Sequence, residues 1–313
     1  LKRAWRTSEV FETTAQLKNG TRTKELGSKI VYPKLIEMGV TEKLALESAI
    51  AIASVFGKNK KADKKKPLNE ADLEQIVFIS PEEMDAVHSL LEKIATSGEK
   101  PTDNDLKLLK KEHSAADLAL FGRMLASSTV HNVEAAAQVS HAITVHAMSS
   151  EDDYFTAVDD LNTGEVDAGS SHIGQREFAA GLYYLYVCVN IDLLKKNLSG
   201  ASNPDEAAIN TLKGLVVASA TVSPSGMSKS FASNARASYI LAEIGDQQPR
   251  SLSVAFLKAI KGGDVFEESV KALESTRDNF DEIYDKCSDK NYTINISNTN
   301  GTMAGLLNFV SEA

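Results

Sequence analysis

The sequence predicts an α+β fold, because strand-like segments lie before and after a block of helical ones instead of alternating with them. Three observations carry this. From Thr41 to Ala126 apolar residues recur at helical spacing between cap signals. At Gln138 the period changes to two, with Val139, His141, Ile143 and Val145 on one face and Ser140, Ala142, Thr144 and His146 on the other. Beyond Ala168 a loop of small residues runs into Phe178, Leu182, Tyr184, Tyr186 and Cys188, which alternate as a long half-buried strand does.

Taken in order, Lys2, Arg3 and Arg6 sit at helical spacing, with Lys2 and Arg6 an i, i+4 pair. Thr41 is placed to cap a helix through Leu44, Leu46, Ile50 and Phe56. Ser80, Pro81 and Glu83 supply a cap, a first-turn proline and a capping-box acid for a helix that Gly98 ends. Thr102 with Asp105 signals another helix start, and Ala115 to Ala126 reads as a short helix. Asn203, Pro204 and Glu206 open a helix reaching about Ala220. Turn-forming residues at Ser223 to Ser230 then separate two β-prone flanks, which predicts a projecting hairpin or loop. Helical patterns follow at Leu252 to Ile260, Val265 to Lys286 and Met303 to Val310.

At 313 residues the chain suits one large domain with insertions, or two domains. Its apolar share is 42%, and no apolar run approaches the length of a membrane span, so no membrane partner is expected. Two cysteines, Cys188 and Cys287, are too few for a disulfide framework or a cysteine-rich zinc site, which suits a reducing cytosol. The net charge is −9, yet residues 1–34 carry +5 and residues 58–66 another +5, leaving −19 on the remainder. A basic edge on an acidic body is able to bind a phosphate backbone in one groove while the rest repels stray polyanion. The plainer reading of the Lys58 to Lys66 run is a solvated loop.

The segment AGSSHIGQREFAAGLYYLYVCVN at Ala168 to Asn190, preceded by EDDYFTAVDD at Glu151 to Asp160, holds a small-residue loop out on a sheet. Together with LKRAWR at Leu1, FGRMLAS at Phe121 to Ser127 and VEAAAQVSHAITVHAM at Val133 to Met148, in that order, it resembles the CasC-type backbone subunit of Cascade, the type I-E CRISPR surveillance complex. The likeness covers most of the chain and thins after about Pro249. Family members usually carry a strand and a basic loop before LKRAWR, and this chain begins with Leu, so a native N-terminal segment is expected to be missing.

The resemblance implies a ferredoxin-like, RNA-recognition-motif-like palm (residues 1–19 and 138–313), a large helical fingers insertion (20–137) and a β-hairpin thumb (221–237). With the first palm strand outside the chain, the sheet is expected to show an exposed edge or gap. The same resemblance implies a non-catalytic scaffold without cofactor. It polymerises head to tail along CRISPR guide RNA and presents it to a target DNA strand, together with further copies of itself and the other Cascade subunits.

Each candidate residue has a plainer alternative. Lys2, Arg3 and Arg6 match the family's contacts to the guide backbone, although a basic first turn is often only surface. Arg22 and Lys24 are further backbone candidates. Ser225, Gly226, Met227, Ser228 and Lys229 resemble the thumb, where Lys229 and backbone amides meet phosphate and Met227 wedges between bases; without the family this is an ordinary flexible loop. His172 has three chemistries open to it, as metal ligand, general base or stacking partner of a base, and lone histidines are mostly structural. The family favours RNA contact through Ser171, His172 and Gly174. Arg176 reaches phosphate there, or else pairs with Glu177 or the acidic stretch. His141 and His146 read as sheet packing.

Two rival functions remain. A metal-dependent RNase would use Asp152, Asp153, Asp159 and Asp160 with His172 to hold Mg²⁺. Four acids repel a phosphate backbone unless metal-loaded, and adjacent acids in a strand point to opposite sides. A generic single-strand RNA-binding protein would show stacking aromatics, for which Tyr184 and Tyr186 are the close pair.

Overall fold

The computed structural model describes residues 1–157 and 172–313. Its elements run α1 (Lys2–Arg6), α2 (Glu9–Ala15), β1 (Thr21–Thr23), a π-helical turn (Leu26–Val31), α3 (Tyr32–Glu37), α4 (Glu42–Phe56), β2 (Val77–Ile79), α5 (Pro81–Ser97) and α6 (Ala116–Phe121). Then come β3 (Ala137–Val139), β4 (Ile143–Thr144), β5 (Glu151–Ala157), β6 (His172–Phe178), β7 (Tyr183–Tyr184), β8 (Val187–Val189), α7 (Ile191–Asn197) and α8 (Pro204–Thr221). The chain closes with α9 (Ser228–Phe231), β9 (Tyr239–Ile244), α10 (Val265–Tyr284), β10 (Lys290–Asn295) and α11 (Met303–Val310). The α+β class is the one observed, and among the described residues strands pair in twos. No described helix is long and apolar enough to cross a membrane.

Two compact units share the chain, one of residues 1–138, 188–244 and 291–313, the other of 139–187 and 245–290. In the first, residues between Leu26 and Leu125 build a core of their own, with Leu35, Ile52, Leu73, Ile79 and Leu91 fully buried. Its helices form where the cap chemistry calls for them. Ser80 accepts from the Glu83 N–H while the Glu83 carboxylate accepts from the Ser80 N–H, and Gly98 ends α5 at φ 68°, the left-handed conformation glycine takes without strain. The last helix, α11, packs on β9, β10 and Val216 of α8, with the Phe309 ring 5.9 Å from that of Tyr292.

Several expectations are corrected. Thr102 and Asp105 make their reciprocal cap bonds, but a turn and not a helix follows, because the Glu83 carboxylate draws the Lys110 N–H away and Leu108 closes back on Leu106. The Leu252–Ile260 pattern yields only a 3-10 turn at Ser253–Phe256. The strand expected from Gln138 to His146 is split, since the Ser140 hydroxyl and amide both engage Tyr186 and interrupt the ladder. The long strand from Phe178 is likewise broken twice, after β6 at Ala179–Gly181, residues with little to pack on a pleated surface, and between β7 and β8 at Leu185 and Tyr186.

The segment 221–237 forms no hairpin. Helix α8 runs on to Thr221, Pro224 and Gly226 follow, and one helical turn, α9, stands between Met227 at φ 58° and Ala232 at φ 47°. The downstream flank, β9, pairs with β10 instead. Strands β1, β2 and β10 were not foreseen, the first two being three residues each and too short to show a period.

Candidate nucleic-acid interface

Helix α1 is five residues long and would not persist alone in water. It is held by Trp5, which is fully buried, and packs against α2 and α8. With Trp5 inward, Lys2 and Arg6 fall on another face. There the Arg6 guanidinium lies 4.4 Å from the centroid of Phe78 and 4.9 Å from that of Phe121, and Lys2 Nζ lies 6.0 Å from Phe121. Strand β1 adds a third cation. Arg22 is directly opposite Phe78 in the β1–β2 register, and its guanidinium carbon is 5.9 Å from the same ring.

The structure therefore gathers Lys2, Arg6 and Arg22 around two rings that sequence reasoning did not single out. Stacking by the flat face fixes a guanidinium and leaves its N–H edge to present the charge. Arg3 is exposed on α1, and Lys24 is exposed in the bend that follows β1.

Asp117, on α6, is the counter-charge beneath this cluster. It is 2% exposed and accepts from the Gly20 N–H at 2.7 Å, tying the start of β1 to α6. Burial pushes its carboxyl above the ordinary 3.8, against the pull of the Gly20 bond and of Arg6. Burial lowers the Arg6 guanidinium from its ordinary value, Asp117 opposing and Arg22 adding to the shift.

A carboxyl raised on folding costs stability while ionised, and that cost is relieved as pH falls through its folded-state pKa. Acidification from neutral pH to about 4 is thus expected to raise the stability of the native chain relative to Asp117→Asn. Urea unfolding at the two pH values checks this; a difference that stays constant contradicts it.

The serine-rich segment lies in the same compact unit. Ser225, Gly226, Met227 and Lys229 are exposed, with Met227 at 44%, and Ser228 is half-buried. An open recess of about 400 Å³ is lined by Ser223, Ser225, Ser228, Ser233, Asn234 and Arg236 among others. Arg236 is a cation that the motif reading passed over, since it stands outside SGMSKS.

The remaining candidates belong to the second unit. Ser171, Asp159 and Asp160 lie outside the described residues. His172 pairs with Ala157 in the β5–β6 ladder. A Cβ on Gly174 would meet the Phe155 ring at 2.3 Å, and the Arg176 guanidinium sits 4.6 Å from the centroid of the same ring. Arg176 is opposite Asp153, while Asp152 is opposite Glu177, so the two adjacent acids lie on different faces of the ladder. His146 Nε2 accepts from the Leu182 N–H at 3.1 Å as packing would have it, whereas His141 is exposed. Tyr184 packs on Phe256, 5.4 Å between centroids, and its hydroxyl accepts from the Leu252 N–H. Tyr184 is thereby taken up within the fold.

Fold and site together describe a mixed α+β protein whose N-terminal cations are mounted on an aromatic pair. The family model of CT1975-like proteins (Cas_CT1975) matches residues 1–308, and the chain belongs to that family. The match continues well past Pro249, where the motif likeness thins. Among solved structures, a chain of a "CRISPR RNA-guided surveillance complex, pre-nicking" is similar with a TM-score of 0.79 at 25% identity, covering 99% of this chain and 88% of that one. A chain of a second CRISPR RNA-guided surveillance complex has a TM-score of 0.67 at 20% identity over 100% and 87%, a likeness of fold alone. No curated protein matched.

Proposed function

We propose that this protein is a non-catalytic backbone subunit of a Cascade-type surveillance complex, of the CasC kind found in type I-E systems. In this reading it binds CRISPR guide RNA along the phosphate backbone, polymerises head to tail with copies of itself, joins the other Cascade subunits and presents the guide to a target DNA strand. The observation that carries the reading is the convergence of Lys2, Arg6 and Arg22 on Phe78 and Phe121.

Cations fixed at one face meet phosphates whatever the base sequence, and specificity is then left to base pairing. Family membership and the likeness to a surveillance-complex chain support the partner class. The two faces of the β5–β6 ladder favour binding over metal-assisted cleavage, because Asp152 and Asp153 do not converge. A head-to-tail contact that does not close into a ring extends as a helix, the geometry a long guide requires.

Titration with single-stranded RNAs of several sequences, across a salt series and with and without Mg²⁺, tests the reading. Intact RNA bound with little sequence preference and a steep loss with salt is the expected result. RNA shortened only when Mg²⁺ is added overturns it in favour of a nuclease.

A further inference from the structure

Arg123 lies two residues past Phe121, and like it is buried. The turn between them is made by Gly122 at φ 71°, where a Cβ would sit 2.7 Å from the Val133 carbonyl oxygen. Arg123 is 5% exposed. Its Nη1 donates to the Glu83 carboxylate at 2.5 Å and to the backbone carbonyl of Phe78 at 3.1 Å, and its Nη2 donates to the His131 carbonyl at 3.1 Å. The Arg123 amide and carbonyl are both bonded to Val133. His113 Nε2 stands 3.5 Å from Nη2, and burial keeps that imidazole below its ordinary 6.5.

A bond from Arg123 to the Phe78 backbone links the two residues whose rings hold Arg6 from different segments. Phe78 belongs to β2 and Phe121 ends α6, and these elements are not neighbours in sequence. The guanidinium is a rigid fork, so three acceptors at fixed angles set a fixed spacing, which a flexible ammonium would not. Glu83 accepts from the same Nη1 as the Phe78 carbonyl while serving as the capping-box acid of α5, so the spacing is locked to the first turn of that helix.

We propose that Arg123 is a positioning residue: its side chain sets the distance between the Phe78 and Phe121 rings, and thereby the pose in which Arg6 is offered to an RNA phosphate. The phosphate half of this statement rests on the function proposed above; the ring-spacing half does not.

A single Arg123→Met change strands the buried Glu83 carboxylate and lowers stability as well, so it does not separate the two roles. Arg123→Met combined with Glu83→Gln does. Glutamine keeps one acceptor oxygen for the Ser80 N–H of the capping box and gives up the second, which takes the Lys110 N–H; no uncompensated charge remains, and part of the thermal stability lost in the single variant is expected to return. The Phe78 carbonyl still lacks its donor. Two measurements on the double variant of the whole 313-residue chain then decide.

The Arg6 Nε–Hε signal in ¹⁵N NMR is expected to carry a ring-current shift in the native protein and to move toward the value of a free arginine in the double variant. Affinity for a single-stranded RNA is expected to fall about tenfold, of the order of one lost cation–π placement. A double variant with native Arg6 shifts and native RNA affinity overturns the proposal. If the native protein binds no RNA, the function proposed above fails, and the Arg6 signal alone still decides the positioning role.

Discussion

Replacement of Lys2, Arg6 and Arg22 together by alanine is expected to weaken binding of single-stranded RNA by about 10²–10³-fold, since each charge-assisted bond to a phosphate contributes about 1.5–3 kcal/mol and part of that is recovered by water. The diagnostic quantity is the salt dependence. Three phosphate contacts removed from a single strand should make the slope of log K against log salt shallower by about 2. The loss should be alike for every RNA sequence, because these cations read no base edge. Stability should change little for Lys2 and Arg22, which lie 6.0 and 5.9 Å from their rings, and more for Arg6, which packs against both. A variant that binds as tightly as the native chain, with an unchanged slope, would place the RNA path elsewhere on the molecule.

That charge cluster was half legible in the sequence. The i, i+4 spacing of Lys2 and Arg6 was plain, because local periodicity depends only on the residues themselves, and Arg22 was a candidate contact. The rings beneath were not. Phe78 belongs to a three-residue strand with no period to read, and Phe121 ends a helix whose six residues are all buried, so nothing local marks it as a platform for cations. Asp117 was invisible for the same reason. An acid in the first turn of a short helix is ordinary, and only the approach of Gly20 from 97 residues away reveals what it holds.

The helices with cap signals in the sequence, α5 and α8, and α11, read from its apolar pattern, came out with nearly their expected bounds. Besides the helices expected at Thr102 and Leu252–Ile260, the failures were strands, whose continuity depends on partners the local pattern does not contain. Ser140 took its bonds from Tyr186, and β9 took β10 as its neighbour in place of the residues before α9. The family likeness supplied the thumb as a hairpin, and the residues around Pro224 line an open recess instead.

The largest expected effect on stability belongs to Trp5. Its side chain is wholly buried, and truncation of such a residue to alanine costs about 3–5 kcal/mol. The functional consequence is separable from the loss of stability. A five-residue helix has no cooperative length of its own, so α1 exists because Trp5 is seated, and Lys2 and Arg6 converge on Phe121 because α1 exists. Trp5→Phe should keep the anchor at a cost of about 1–2 kcal/mol, since the indole nitrogen makes no hydrogen bond that would be lost. RNA affinity should survive in Trp5→Phe and fall in Trp5→Ala even at temperatures where both remain folded, as read by circular dichroism beside each titration. Should Trp5→Ala stay folded and bind RNA normally, Lys2 and Arg6 would owe their placement to something other than the helix that carries them.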